Sequence, residues 1–337
     1  MGSIHQNPIL RVGIIGCGEI SQESLRHCAQ RVLGETPKFT TNAEELCASP
    51  DVDVVLIANA DAYHVEHGIL ALQNEKYCLI EKPASICLRD INRLIEAEKT
   101  SKGKVFVGTM RRYVAAFLDA VEEVGKMERI TYARVRDVIG PNATAVSQSG
   151  TFPQRFDDFS KEDSSDRANK EANIYERAIS KEFGLKVTPQ SSRMLRVLGA
   201  LGTHSLSAMR EIIGMPQSVA GAILTLPGIF SVLFRYDNFP VVYESGLSEI
   251  PFFDAHIDVA SPQKTVRVIF DNPYIKGLPV TLLIREKVGD GFQERKIRKT
   301  YEDPYTLELL DLYDCVVNGK TPKAVPRMRK KILNFLG

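Results

Sequence analysis

The stretch Tyr77 to Pro83, YCLIEKP, puts a lysine where it can act on a ligand. Tyr77 to Ile80 is an unbroken apolar run of the kind that forms a strand buried on both faces, and Pro83, with no N–H to donate, ends the ladder. Lys82 is thereby delivered at the carboxyl end of a core strand, the edge at which open parallel sheets bind ligands. An ammonium there can polarise a carbonyl or pass on a hydroxyl proton; the plainer reading is a solvated lysine in a strand-to-helix turn. A second group is Gly16-Cys17-Gly18-Glu19-Ile20-Ser21, which follows the apolar run Leu10 to Ile15 and opens a helical stretch. Strand, glycine turn and helix start together suit a pyrophosphate, because glycines let the backbone come close and the helix N-terminus attracts the charge. The third is Gly202-Thr203-His204, an imidazole at a helix start, which serves either as a capping or core histidine or as a proton-sharing one.

These groups need a frame, and the chain supplies most of one. After the glycine turn, Gln22 to Leu33 allows one helix, and Gly34-Glu35-Thr36-Pro37 follows at once. A dinucleotide unit calls for a full helix and then a second strand ending in an acidic residue about 20 positions on. Glu35 has nearly the right count but no strand before it, so one helix and one strand are expected to be missing. A short helix, Ala43 to Cys47 capped by Asn42, leads to a second core strand ending at Ile57, and a helix then runs to Gln73 with Ile69, Leu70 and Leu72 on its packed side. His64 and His67 share a helix face but lack a third partner for a metal, so polar helix-start residues are the reading kept. Arg89 to Thr100 is an amphipathic helix and Lys104 to Gly108 a strand, followed by Arg111-Arg112-Tyr113 as a solvated loop or a ligand contact.

From about residue 117 the pattern turns β-rich. Glu128 to Ile139, Gln217 to Thr225, Gly228 to Tyr236, Val241 to Ser248, His256 to Ala260, Thr265 to Asp271 and Thr281 to Glu286 read as strands of one large antiparallel sheet. Between the first two lies an insertion whose Lys161 to Phe183 portion is charged and helical, a solvated flank. A helix then opens at Ser191-Ser192, and Asp303 to Val317 closes as a C-terminal helix. The fold expected is α/β: a Rossmann-like, incomplete N-terminal domain over 1–116, then an α+β domain over 117–337 with a large open, mainly antiparallel sheet.

Composition narrows the partners. Lys plus Arg number 43 against 42 Asp plus Glu among 337 residues, so no charge excess draws in nucleic acid or an anionic membrane. No apolar run approaches the roughly 20 residues of a membrane span, and MGSIHQNP lacks a signal-peptide layout, so a soluble cytoplasmic protein is expected. The six cysteines are scattered without CxxC pairs and are expected as reduced thiols.

The succession GIIGCGEIS, DVDVVLIANADAYHVEHGILAL, YCLIEKP, GTMRRY, LGALGTHSL resembles the glucose-fructose oxidoreductase, inositol dehydrogenase and MocA (Gfo/Idh/MocA) family over nearly the whole chain. The resemblance implies NAD or NADP, and hydride transfer at a secondary alcohol or carbonyl of a sugar-, cyclitol- or dihydrodiol-like molecule. It also implies a homodimer through the open sheet. Carried over by position, Gly16 and Gly18 hold the pyrophosphate, Glu19 and Ile20 also bind the cofactor, and Asn59, Asp61 and His64 border the nicotinamide. Glu81, Lys82 and Arg112 belong to the cofactor edge, and Lys82 and His204 are the expected catalytic pair. Ala200 stands where the family has an Asp, and Gln22 to Thr41 reads as though the first helix and the acidic second strand had been cut out. A cofactor-free isomerase, cyclase or ligand-binding descendant stays open, as does a truncated, inactive product of an intact enzyme's gene.

Overall fold

The structure is a computed structural model, and it describes residues 8–16, 38–149, 157–224, 228–328 and 330–331. Gly18, Glu19, Ile20 and the expected helix Gln22 to Leu33 fall outside the described residues. The chain forms two compact units, one of residues 1–108, 153–187 and 309–337, the other of 109–152 and 188–308.

The first unit holds a parallel sheet of four described strands, β1 (Val12–Ile15), β2 (Val54–Ile57), β3 (Tyr77–Ile80) and β4 (Val105–Val107), in that spatial order. All four residues of β2 and all three of β4 are buried, as continuous apolar runs covered on both faces should be. Val12 in β1 is 44% exposed, and β1 has β2 as its neighbour among the described residues. Before β2, α1 (Ala43–Ala48) is capped as expected, with Asn42 Oδ1 accepting from Glu44 N at 2.8 Å. The crossover helices are α2 (His64–Gln73) and α3 (Leu88–Lys99). The packed face of α2 differs from expectation: Val65, Gly68, Ala71 and Leu72 are buried, whereas Ile69 and Leu70 are half-buried. Gly68 explains the rotation. A Cβ there would stand 2.6 Å from Ile80 Cδ1 and 2.9 Å from Leu94 Cδ1, so the helix turns its smallest residue onto the sheet and approaches closely.

The insertion belongs partly to this first unit. Its helix α6 (Lys161–Glu176, after the short α5, Asn142–Gln148) is capped by Ser160 and buries none of its residues, as a solvated flank should. The next turn, Arg177–Glu182, buries Ala178 and Ile179 and carries a fixed anchor. Glu182 accepts from Leu88 N at 2.5 Å and Arg89 N at 2.9 Å, giving α3 the N-terminal cap that Cys87 does not provide.

The second unit is built on eight described strands: β5 (Tyr132–Ile139), β6 (Ser218–Leu224), β7 (Ile229–Arg235), β8 (Pro240–Leu247), β9 (Phe253–Ala260), β10 (Lys264–Phe270), β11 (Thr281–Val288) and β12 (Gly291–Ile297). Their order is β12-β11-β10-β9-β5-β8-β7-β6, antiparallel throughout except for the parallel pair β5 and β8. The expected large sheet is therefore present with one more strand. On one face α4 (Ala115–Gly125) packs against β10 and β11, and α8 (Thr203–Ile213) against β5. The helix expected to open at Ser191-Ser192 begins earlier, as α7 (Pro189–Val197), with Pro at its first turn and a capping box between Thr188 and Ser191. The C-terminal helix α9 (Pro304–Val317) has Asp303 Oδ1 accepting from Tyr305 N at 3.0 Å and Thr306 N at 3.1 Å. Among the described residues, no helix is long and apolar enough to cross a membrane.

Candidate active site

In the first unit the ladder runs one rung past the strand ends. Ala58 N donates to Ile15 O at 2.9 Å, Glu81 N to Ile57 O at 2.9 Å and Gly108 N to Ile80 O at 2.8 Å. Gly16, Ala58-Asn59, Glu81-Lys82 and Gly108 therefore stand side by side at the carboxyl edge. Gly16 has φ +116°, and a Cβ on it would lie 2.8 Å from Ala58 C, Ala58 O and Asn59 N. Only glycine fits there, both for its conformation and for the approach of backbone to backbone.

Beyond β2, Asp61 is exposed and opens a short 3-10 turn, Asp61–Tyr63. His64 is 1% exposed, with Nδ1 2.9 Å from Pro83 O and Nε2 3.1 Å from Asn59 O. It therefore ties the loop after β2 to the turn after β3. Asn59 Nδ2 donates to His67 Nδ1 at 3.0 Å, and Asn59 Oδ1 is buried with no hydrogen-bond partner among the described residues. The sequence pairs His67 with His64 only as a candidate metal group; among the described residues no three His, Cys, Asp or Glu side chains gather for a metal.

Glu81 is 8% exposed, and burial pushes its carboxyl above the ordinary value, against the opposing pull of the Lys82 charge. Gly108 leaves room for it: a Cβ at Gly108 would come within 3.2 Å of Glu81 Cδ and both carboxyl oxygens. Lys82 N donates to Glu81 Oε2 at 3.2 Å, and the Lys82 side chain is half-buried. A buried carboxyl and a half-buried amine on consecutive residues, at the carboxyl end of a core strand, make a pair suited to proton chemistry.

In the second unit, the Arg111-Arg112-Tyr113 segment is a buried turn, Met110–Tyr113, and so is not the solvated loop that is one of the two readings the sequence leaves open. Arg111 makes a two-pronged ion pair with Asp137 on β5, at 2.9 and 3.0 Å, and its guanidinium lies 5.4 and 5.2 Å from the ring centroids of Phe253 and Phe270. Arg112 Nε donates to Glu211 Oε2 at 2.5 Å. His204 is buried in the first turn of α8. Gly202, two residues before it, makes room for a tyrosine: a Cβ there would lie 3.2 Å from Tyr243 Oη. That hydroxyl hydrogen-bonds Ser205 Oγ at 3.0 Å, and burial pushes the phenol above its ordinary value.

Residues 26–109 match the family model described as an oxidoreductase family with an NAD-binding Rossmann fold, Gfo/Idh/MocA. Over that segment, a quarter of the chain, the sequence is similar to this family. The chain is 31% identical to inositol 2-dehydrogenase 3 of Saccharopolyspora erythraea over 137 aligned positions, which cover 34% of this chain and 40% of that enzyme. It is 32% identical to the inositol 2-dehydrogenase of Salmonella typhimurium, over 31% of this chain and 38% of that one. The chain thus spans about two fifths of the length of these curated relatives. Two solved structures share the fold along nearly the whole chain. One is the UDP-N-acetylglucosamine 3-dehydrogenase of Acidithiobacillus ferrooxidans, with TM-score 0.67, 14% identity, and 96% of this chain and 94% of that chain covered. The other is the aldose-aldose oxidoreductase of Caulobacter crescentus in complex with glycerol, with TM-score 0.66, 16% identity, and 98% and 96% covered.

Proposed function

We propose that the protein is an NAD(P)-dependent oxidoreductase that moves hydride to or from a secondary alcohol or carbonyl carbon of a sugar-, cyclitol- or dihydrodiol-like small molecule. The observation that carries this reading is Lys82, set beside a buried carboxyl at the carboxyl end of β3, one strand from Asn59 and two from Gly16. The family description of residues 26–109 and the inositol 2-dehydrogenases among the similar enzymes support the reaction class.

The residues present suit a nicotinamide dinucleotide. Gly16 offers backbone with no side chain in the way, and the buried Asn59 Oδ1 offers an acceptor that a hydroxyl or carboxamide N–H would satisfy. Gly18, Glu19, Ile20 and Asp61 are proposed to extend that contact. When bound, the nicotinamide supplies the hydride donor or acceptor. The chain's own task is the proton and the geometry. Lys82 in its neutral amine form takes the hydroxyl proton in the oxidative direction and becomes the ammonium, which returns the proton to the oxygen in the reductive one. Burial pushes the Glu81 carboxyl up, so it is less readily ionised than an exposed carboxyl and competes less for the lysine. His64 fixes the Pro83 carbonyl and hence the turn that carries Lys82. In the second unit, His204 and Arg112 are proposed as further functional residues, both buried there. The open face of the eight-stranded sheet is proposed as a homodimer surface. It carries Arg134, Arg136, Glu244, Asp254, Asp258 and Arg267 as a charge-balanced lattice, which a second copy can meet with itself.

The reaction is tested by following reduced-nicotinamide absorbance with a panel of cyclitols, aldoses and dihydrodiols. Lys82→Met should lower kcat by roughly 10²–10⁴-fold with little change in cofactor affinity. Turnover by the variant equal to wild type would remove Lys82 from the chemistry.

A further inference from the structure

We propose that His67 is a positioning residue that holds the Asn59 carboxamide with its oxygen turned toward the ligand, so that Asn59 receives a hydrogen bond from a neutral donor, a carboxamide N–H or a hydroxyl. The proposal deepens the dinucleotide reading and rests on it for the identity of the ligand, though not for the geometry.

An amide has two ends of similar size and opposite hydrogen-bonding sense, and nothing in its own shape decides which end faces a site. Here the nitrogen end is committed. Asn59 Nδ2 lies 3.0 Å from His67 Nδ1, and an amide nitrogen can only donate, so Nδ1 must be the bare, accepting nitrogen of a neutral ring. The environment of His67 agrees with that protonation state. Burial pulls its basicity below the ordinary value, with His64 and Lys170 acting in the same direction and Glu66 alone opposing. With Nδ2 committed, Oδ1 is the end left to accept, and it is buried without a partner among the described residues. A buried acceptor left open in this way is satisfied when a donor arrives, and a ligand lacking one leaves it unsatisfied.

The histidine is itself held. Its ring stacks on Tyr63 at 5.9 Å between centroids and 15° between planes. Tyr63 is gripped from the other side by α6, within the same unit. Its hydroxyl donates to Asp166 Oδ2 at 2.7 Å, and Lys170 Nζ lies 5.2 Å from its ring centroid while pairing with Glu66 Oε2 at 2.9 Å. The charged insertion helix thus has a place in the site although it buries no residue of its own. Asp166 and Lys170 fix Tyr63, Tyr63 fixes the plane of His67, and His67 chooses the amide's direction.

The test pairs a binding measurement with a spectroscopic one. NADH affinity is measured by fluorescence for wild type, His67→Phe, His67→Gln and Asn59→Ala, with circular dichroism and a melt for each. Phe keeps a ring on Tyr63 but offers no acceptor, so affinity should fall roughly three- to tenfold, about as for Asn59→Ala. Gln restores a side-chain acceptor and should bind within about twofold of wild type. Folded His67→Phe that binds NADH as wild type does overturns the proposal. In parallel, 15N correlation spectra of the imidazoles should show His67 neutral, with the proton on Nε2. An Nδ1-protonated His67 overturns the proposal whether or not NADH binds. Absence of NADH binding by wild type, with His67 in the Nε2–H form, would refute the dinucleotide reading and leave the amide orientation standing for another donor ligand.

Discussion

The buried pair Arg111 and Asp137 gives the sharpest stability prediction. Asp137 has no exposed side-chain surface and Arg111 has 5%, the two groups meet through two parallel hydrogen bonds, and two phenyl rings flank the guanidinium. Asp137→Ala leaves that guanidinium buried with its partner removed, a change that costs about 3–5 kcal/mol in comparable sites. In domains of roughly 150–250 residues each kcal/mol moves Tm by about 2–4 °C, so the second unit should melt roughly 6–20 °C lower. Replacing both partners by apolar groups of similar volume, Arg111→Met with Asp137→Leu, removes the orphaned charge and should fall within about 2 kcal/mol of wild type. Urea unfolding followed by circular dichroism measures all the variants on one scale. The reasoning is refuted if Asp137→Ala costs less than about 1 kcal/mol, or if the double variant loses as much as the two single changes added together.

Other expectations follow from the first unit. Gly16→Ala forces a side chain into a positive-φ position 2.8 Å from the Ala58 backbone; a destabilisation of about 1–2 kcal/mol or more, with loss of NADH affinity, is expected, and a variant as stable as wild type contradicts the geometry. Burial raises the Glu81 carboxyl above its ordinary 4.5, so the folded protein keeps a proton that the unfolded chain has already released. Wild type should therefore lose stability relative to Glu81→Gln as pH climbs from about 4.5. A Tm difference between the two proteins that does not change with pH sinks that account. His67 runs the other way. Its basicity is depressed in the folded state, so its contribution is full above the ordinary value of 6.5 and is lost as pH falls, and His67→Gln should lose less stability than wild type on acidification from pH 6.5.

The parts of the fold legible in the sequence are those where one short stretch decides the outcome. β2, β3 and β4 are apolar runs cut off by Asn59, by Glu81 to Pro83 and by Gly108, and strands buried on both faces leave that mark. Most of the second sheet shows as alternation, because one face is covered and the other open. β12 does not, since GFQERKI is exposed at six of its seven positions and half-exposed at the last, so no apolar period exists to be read. Nor does α6 announce the unit it joins, having no buried stripe. At the site, the places of Lys82 and Gly16 at strand ends are visible from residue type and order. The roles of Arg111, Arg112 and His67 are not, because their partners are fixed by tertiary packing. Asp137 is 26 residues from Arg111, Glu211 is 99 from Arg112, and the direction of the Asn59 amide is set by a ring eight residues on.

The central claim is that the carboxyl edge of the first unit holds a nicotinamide dinucleotide, and the most direct test is a fluorescence titration of the purified protein with NADH and with NADPH. Saturable binding of either at micromolar concentrations, weakened in Gly16→Ala, is the result expected. No saturation at millimolar cofactor, from a protein that unfolds cooperatively, would contradict it.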